Sequence, residues 1–402
     1  METDQRIDWR CKGLPPAADG LTVPELAAAG YRLPDLAFPV AVVREDAVAA
    51  NVAAMAAWCA GHGALLAPHG KTAMAPWLSA RQLAAGAWAI TVATVSQARV
   101  YRAAGVRRLL LANQLVDPVG IDWVRSELDR DPDFSFGCFV DSAAGVGILA
   151  EALAGAAPER PLDAYVEIGV SGGRAGCRTL AEALEVAALV AGTPGLRLAG
   201  VAGWEGGLGH DREPETERVV REFLRHVRTA SAALQEEHGT ADWVATAGGS
   251  AYFDWVVEEL AGPWRLVLRG GCYALHDVGL YQRVTPLPEL RAAVRVWGHV
   301  LSRPEPDLAL AGVGRRDVGF DQGLPVVERV WRRGAAEPEG AFGLEVTALN
   351  DQHAFLRGDG GLAVGDLVGF GISHPCTTVD RWRLLPVVDA GHRVVDGVWT
   401  YF

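Results

Sequence analysis

The 402-residue chain contains only two lysines, Lys12 and Lys71. Arginine carries the rest of the positive charge, and 37 basic residues against 49 acidic ones leave a net charge of −12. No Lys/Arg-rich run is present to neutralise a phosphate backbone, so nucleic acid is excluded as a partner. Cysteine is scattered: Cys11, Cys59, Cys138, Cys177, Cys272 and Cys376 show no paired spacing, and no disulfide framework is expected. Long apolar runs are also missing. Ala47 to Gly70 is uncharged but broken by Asn51, Gly61-His62-Gly63 and Pro68, and Gln82 to Ala98 carries polar residues and glycine. Neither meets the ~20 apolar residues a membrane helix needs. The opening Met1-Glu2-Thr3-Asp4 lacks the basic start and apolar run of a secretion signal, which points to the cytoplasm. Neither a Gly-x-Gly-x-x-Gly after the first strand nor a Walker-type loop occurs, so nucleotide sites of those kinds are not expected.

With 50% hydrophobic and 21% charged residues, the chain can bury one large core or two moderate ones. From Phe38 onward, short aliphatic runs alternate with alanine-rich helical stretches. Pro39 to Val43 reads as a strand, Asp46 to Ala60 as a helix capped by Asp46, and Ala64 to Pro68 as the next strand, a βαβ unit. The alternation continues to Leu268 with eight or nine strands, which predicts an α/β fold, an eight-fold β/α barrel over residues 36–280. From residue 281 to 402, period-two alternation such as Arg291 to Val300, punctuated by Gly and Pro, predicts a mostly antiparallel β domain. Residues 1–35 are expected to pack with it.

The candidate chemistry sits at strand ends, where a barrel builds its active site. Lys71, in Pro68-His69-Gly70-Lys71-Thr72, can form a Schiff base with a carbonyl compound or pyridoxal phosphate, or act as a base if buried. Three glycine clusters follow later strands: Gly169 to Gly176 with Arg174, Ala247-Gly248-Gly249-Ser250, and Arg269-Gly270-Gly271-Cys272-Tyr273. The last two suit a phosphate after the seventh and eighth strands. In Ser373-His374-Pro375-Cys376, an extended backbone would put His374 and Cys376 on one face, and imidazole with thiolate suits zinc. His353, in Asn350-Asp351-Gln352-His353, is a candidate third ligand or acid/base group.

Together these segments, in this order and spacing, resemble the D-serine dehydratase and D-threonine aldolase family, over about Phe38 to Asp389. The resemblance implies the alanine-racemase-like architecture of fold type III pyridoxal phosphate enzymes, working as a homodimer on a small D-amino acid. It makes Lys71 the Schiff-base lysine and places His69 beside the cofactor. It puts the phosphate on Gly248, Gly249, Ser250, Cys272 and Tyr273, and Arg174 against the pyridine nitrogen. His374 and Cys376 match the zinc pair of the dehydratase branch, whereas the aldolase branch tends to carry a carboxylate in place of the cysteine. The implied reaction is zinc-assisted loss of water from a D-β-hydroxy amino acid to give a keto acid and ammonia. Aldol cleavage, with His353 or Glu205 as base, is the alternative, and a non-catalytic pyridoxal phosphate carrier is a third. Trp204 stands where the family commonly has tyrosine, and Gly70 and Ala73 are smaller than the family pattern. These departures suggest a substrate bulkier than D-serine.

Overall fold

The computed structural model describes residues 4–154, 160–358 and 360–402, which leaves Met1-Glu2-Thr3 of the acidic opening outside the described residues. The first strand, β1 (Val40–Arg44), stands apart from the next eight. These are β2 (Leu65–Leu66), β3 (Ile90–Val92), β4 (Arg108–Gln114), β5 (Ser135–Val140), β6 (Leu162–Ile168), β7 (Leu196–Gly203), β8 (Val244–Ala247) and β9 (Arg265–Leu268). They form one parallel sheet in which β3 to β9 follow chain order and β9 pairs with β2. Between β2 and β3, a bridge of His69 with Thr91 and the bond from Trp88 N to Leu66 O (2.7 Å) curl the sheet into a barrel. Ala67, Leu110, Phe139, Tyr165 and Val267 fill its interior, and the opposite strand faces join the larger core under the helices.

The helices begin where side chains satisfy their first amides. Thr94 accepts from Gln97 N, Ser142 from Gly145 N, and Thr179 forms a reciprocal box with Glu182. The long helix Pro214–His238 buries Val220, Phe223, Leu224, Val227 and Leu234 on one stripe and carries Arg218 and Glu222 as an outer ion pair. The helix after β1 starts at Glu45 rather than after a capping Asp46, whose carboxylate is bound by Arg44 at 2.7 Å.

The barrel contains eight strands without β1, and this corrects the reading of Pro39 to Val43 as its first strand. β1 pairs antiparallel with β10 (Val294–Glu305) and parallel with Leu384–Val388, inside a 10-stranded, mostly antiparallel sheet. The reason is legible in burial. Val40 and Val42 face one core, Ala41 and Val43 another, so both faces are covered, as in a barrel strand, and the uniformly apolar run cannot distinguish the two. Residues between Ile7 and Leu36 pack on the outer face of this sheet with Trp297, Trp331 and Trp399. Within β10, Arg295 is buried and satisfied by Glu328 at 2.9 Å. Among the described residues no helix is long and apolar enough to cross a membrane.

Candidate active site

At the carboxyl end of the barrel, facing the second sheet, lies a cleft of about 680 Å³. Lys71 enters it from a 3-10 turn just beyond β2, exposed to the cleft rather than buried. The turn is held by Tyr101, whose hydroxyl donates to the Gly70 carbonyl at 2.7 Å. A side chain at Gly70 would lie 2.5 Å from the Tyr101 ring, so the space that Gly70 leaves is already filled and gives nothing to a substrate. Ala73 is buried and absent from the lining.

His69, Arg174, Gly248, Gly249, Ser250 and Cys272 also line the cleft. The two glycine loops follow β8 and β9, the seventh and eighth barrel strands. The amides of Gly248 and Gly249 donate to the buried carboxylate of Glu205, at 3.0 and 2.6 Å. Glu205 therefore shapes the loop, and Ser250 and the amides after β9 are left for an anion. Tyr273 points away: its hydroxyl accepts from Gln82 at 3.0 Å in the core. Arg174 stacks 4.2 Å over Trp204, which forms part of the wall. His353 is not brought to this cleft within the chain; it is exposed in the turn before Ala354–Gly358.

The β domain contributes His374 and Cys376, and their meeting has a different cause from the expected one. Pro375 is helical (φ −63, ψ −44) and Cys376 opens a short helix, so a tight turn rather than strand alternation brings the two side chains together. Asp321 accepts from His374 Nδ1 at 2.7 Å. Sequence reasoning missed Asp321 and the closeness of Cys272 to the β-domain pair: its Sγ lies 3.4 Å from that of Cys376. Thr72, beside Lys71, reaches both sulfurs, at 3.7 and 3.5 Å.

Charge is unevenly distributed here. Burial, then the positive charges of Lys71 and Arg269, holds His69 well below the usual imidazole range. Burial lowers Arg269 to about 10, although Thr246 and the Gly203 carbonyl satisfy it. The hydrogen bond from Cys272, then the neighbouring His374, pulls Cys376 well below a normal thiol, while that same bond and burial push Cys272 up. Burial opposes the charged form of His374, but Cys376 and Asp321 together outweigh it and raise the ring to about 9.

The residues fit the groups that the resemblance implies. An anionic, ring-shaped cofactor finds cationic Lys71, Arg174 and Arg269, and the buried Nδ1 of His69 has no protein partner. At Gly271 any Cβ would lie 2.4 Å from the His69 carbonyl, so only glycine lets the two loops approach. Imidazole and thiol donors suit a borderline-soft metal.

A lysine just beyond the first barrel strand, glycine loops after the last two and a β domain at the mouth describe a cofactor-dependent barrel enzyme rather than a simple binding barrel. The chain belongs to the alanine-racemase-like family of pyridoxal phosphate enzymes: residues 43–262 match the family "Alanine racemase, N-terminal domain", and residues 293–388 match "Putative serine dehydratase domain". It is 30% identical to D-threonine aldolase from Arthrobacter sp, over 94% of this chain and 96% of that one. It is 27% identical to D-threo-3-hydroxyaspartate dehydratase from Delftia sp. (strain HT23), over 87% and 89%. The crystal structure of D-threonine aldolase from Filomicrobium marinum superposes with a TM-score of 0.80 at 26% identity, covering 92% of this chain and 96% of that one.

Proposed function

We propose that this protein is a pyridoxal phosphate- and metal-dependent lyase that removes water from a D-β-hydroxy amino acid, giving a keto acid and ammonia, as a cytoplasmic homodimer. The observation that carries the reading is Thr72. It links Lys71 by one peptide bond to a side chain touching both Cys272 and Cys376, so the amine and the metal donors face one cleft. When bound, pyridoxal phosphate supplies an electron sink for a negative charge developing at Cα, and a zinc-like ion supplies a Lewis acid for the β-hydroxyl.

The chain's own residues do the rest. Lys71 holds the cofactor and takes the Cα proton on Nζ. Ser250 with the amides after β9 anchors the phosphate, and Glu205 keeps the neighbouring loop in shape. Arg174, fixed over Trp204, is the residue that would meet the ring nitrogen of the cofactor, and its positive charge would disfavour protonation there. His374 and Cys376 hold the ion, with Asp321 orienting the imidazole.

A second reading, cleavage of Cα–Cβ, is favoured by the 30% identity to D-threonine aldolase. The soft Cys376 beside His374 supports elimination instead. Purified protein incubated with D-serine, D-threonine and 3-hydroxy-D-aspartate, with keto acid and aldehyde both assayed, separates them. Keto acid release, with the visible cofactor band and turnover both lost in Lys71→Ala, is the expected result. Aldehyde with a smaller amino acid moves the assignment to aldol cleavage, and no cofactor band at all removes it.

A further inference from the structure

We propose that Cys272 is a third metal ligand, so that the ion is held by two sulfurs and one imidazole and joins the barrel to the β domain. This rests on His374 and Cys376 being metal ligands, as read above. Cys272, His374 and Cys376 are the one group of three such donors among the described residues, with ligand atoms all within 4.8 Å of one another. Two sulfurs bound at ~2.3 Å to one tetrahedral zinc lie about 3.8 Å apart. The observed 3.4 Å is a few tenths of an ångström from that, whereas a disulfide at ~2.05 Å would require the sulfurs to close by more than an ångström.

The imidazole is already aimed. Asp321 occupies His374 Nδ1 at 2.7 Å, which leaves Nε2 for the ion in the carboxylate–histidine–metal arrangement. Cys272 is fixed from behind: Gly271 is wedged against the His69 carbonyl, and His276 N donates to the Cys272 carbonyl at 2.7 Å. Its Sγ therefore faces Cys376 rather than serving the cofactor phosphate, for which the main chain of the same loop is available.

Three protein ligands leave one tetrahedral position open, the pattern of a catalytic rather than a structural zinc. Two sulfurs also set the selectivity. Such a site favours zinc or another thiophilic ion over magnesium and manganese, which prefer oxygen donors. A dehydratase with only one sulfur, or an aldolase with a carboxylate, would lack that discrimination.

The test is zinc-edge X-ray absorption on the full-length wild-type protein, stripped by chelator under reductant and reloaded with one equivalent of zinc. Two sulfurs at about 2.3 Å are expected. In parallel, Cys272→Ser should bind zinc at least ~10–100-fold more weakly, with one sulfur remaining, and a hundredfold excess of magnesium should not displace zinc from the wild type. A single sulfur in the wild type, with zinc lost in Cys376→Ser, overturns the role of Cys272 while keeping the His374–Cys376 site. No zinc bound, or zinc unaffected by Cys376→Ser, sinks both readings.

Discussion

Glu205→Gln tests whether the glycine loop after β8 is organised by a carboxylate rather than by the cofactor. The carboxylate is fully buried and accepts two main-chain amides, Gly248 at 3.0 Å and Gly249 at 2.6 Å. A hydrogen bond to a charged group contributes ~1.5–3 kcal/mol, and an unpaired buried donor costs a comparable amount. Glutamine keeps one neutral acceptor but turns its own N–H groups toward the other amide. One charge-assisted bond is lost and the second is weakened, for a total of about 3 kcal/mol of local stability. Arg269 loses a facing negative charge as well. Amide hydrogen exchange on cofactor-free protein reads this directly: the segment 247–252 should exchange on the order of 100-fold faster, while segments on the far side of the barrel, such as β4 and β5, stay unchanged. A change of less than about fivefold would refute the argument. It would mean that these amides find other partners and that Glu205 is free for chemistry.

Gly70→Ala places a methyl group 2.5 Å from the Tyr101 ring and should lower the unfolding free energy by the ~1–3 kcal/mol typical of overpacking, read as a fall in thermal midpoint. Tyr101→Ala in the same chain should lessen that penalty, and strict additivity of the two would count against the packing argument. Asp321→Asn should weaken zinc binding ~10–100-fold in a chelator competition, and an unchanged affinity would show that Asp321 does not orient His374. His69 is held below its ordinary value of 6.5 mainly by burial. The unfolded chain takes up a proton there that the folded one refuses, so stability falls as pH drops below about 6.5. Denaturation midpoints at pH 7.5 and 5.5 should converge in His69→Asn relative to the wild type; identical differences in both would contradict it.

The barrel was legible because alternating apolar and alanine-rich stretches encode parallel strands and helices locally. The lysine and glycine loops were legible because strand ends carry function in such a fold. The partnership of Cys272 was not, since 104 residues separate it from Cys376 and only the docking of the two sheets brings the sulfurs together. Asp321 gave no local signal, being one acidic residue among many in a loop. Glu205 was visible beside Trp204, but its hold on Gly248 and Gly249 depends on β7 and β8 being neighbours, which spacing alone does not state.

β1 carries a further consequence, for biosynthesis. The strand leaves the ribosome ahead of the barrel, yet its antiparallel partner β10 begins at Val294, about 250 residues later. At ~5–20 residues per second, β1 waits roughly 10–50 s before its pairing can start, while the barrel sequence emerges between the two halves of the other sheet. The β domain is therefore completed only after the barrel has been made, and it cannot be expressed alone from residue 281 onward without losing a central strand. A working β-domain fragment would need residues 4–44 fused ahead of the C-terminal segment, in effect splicing out the enzyme's barrel.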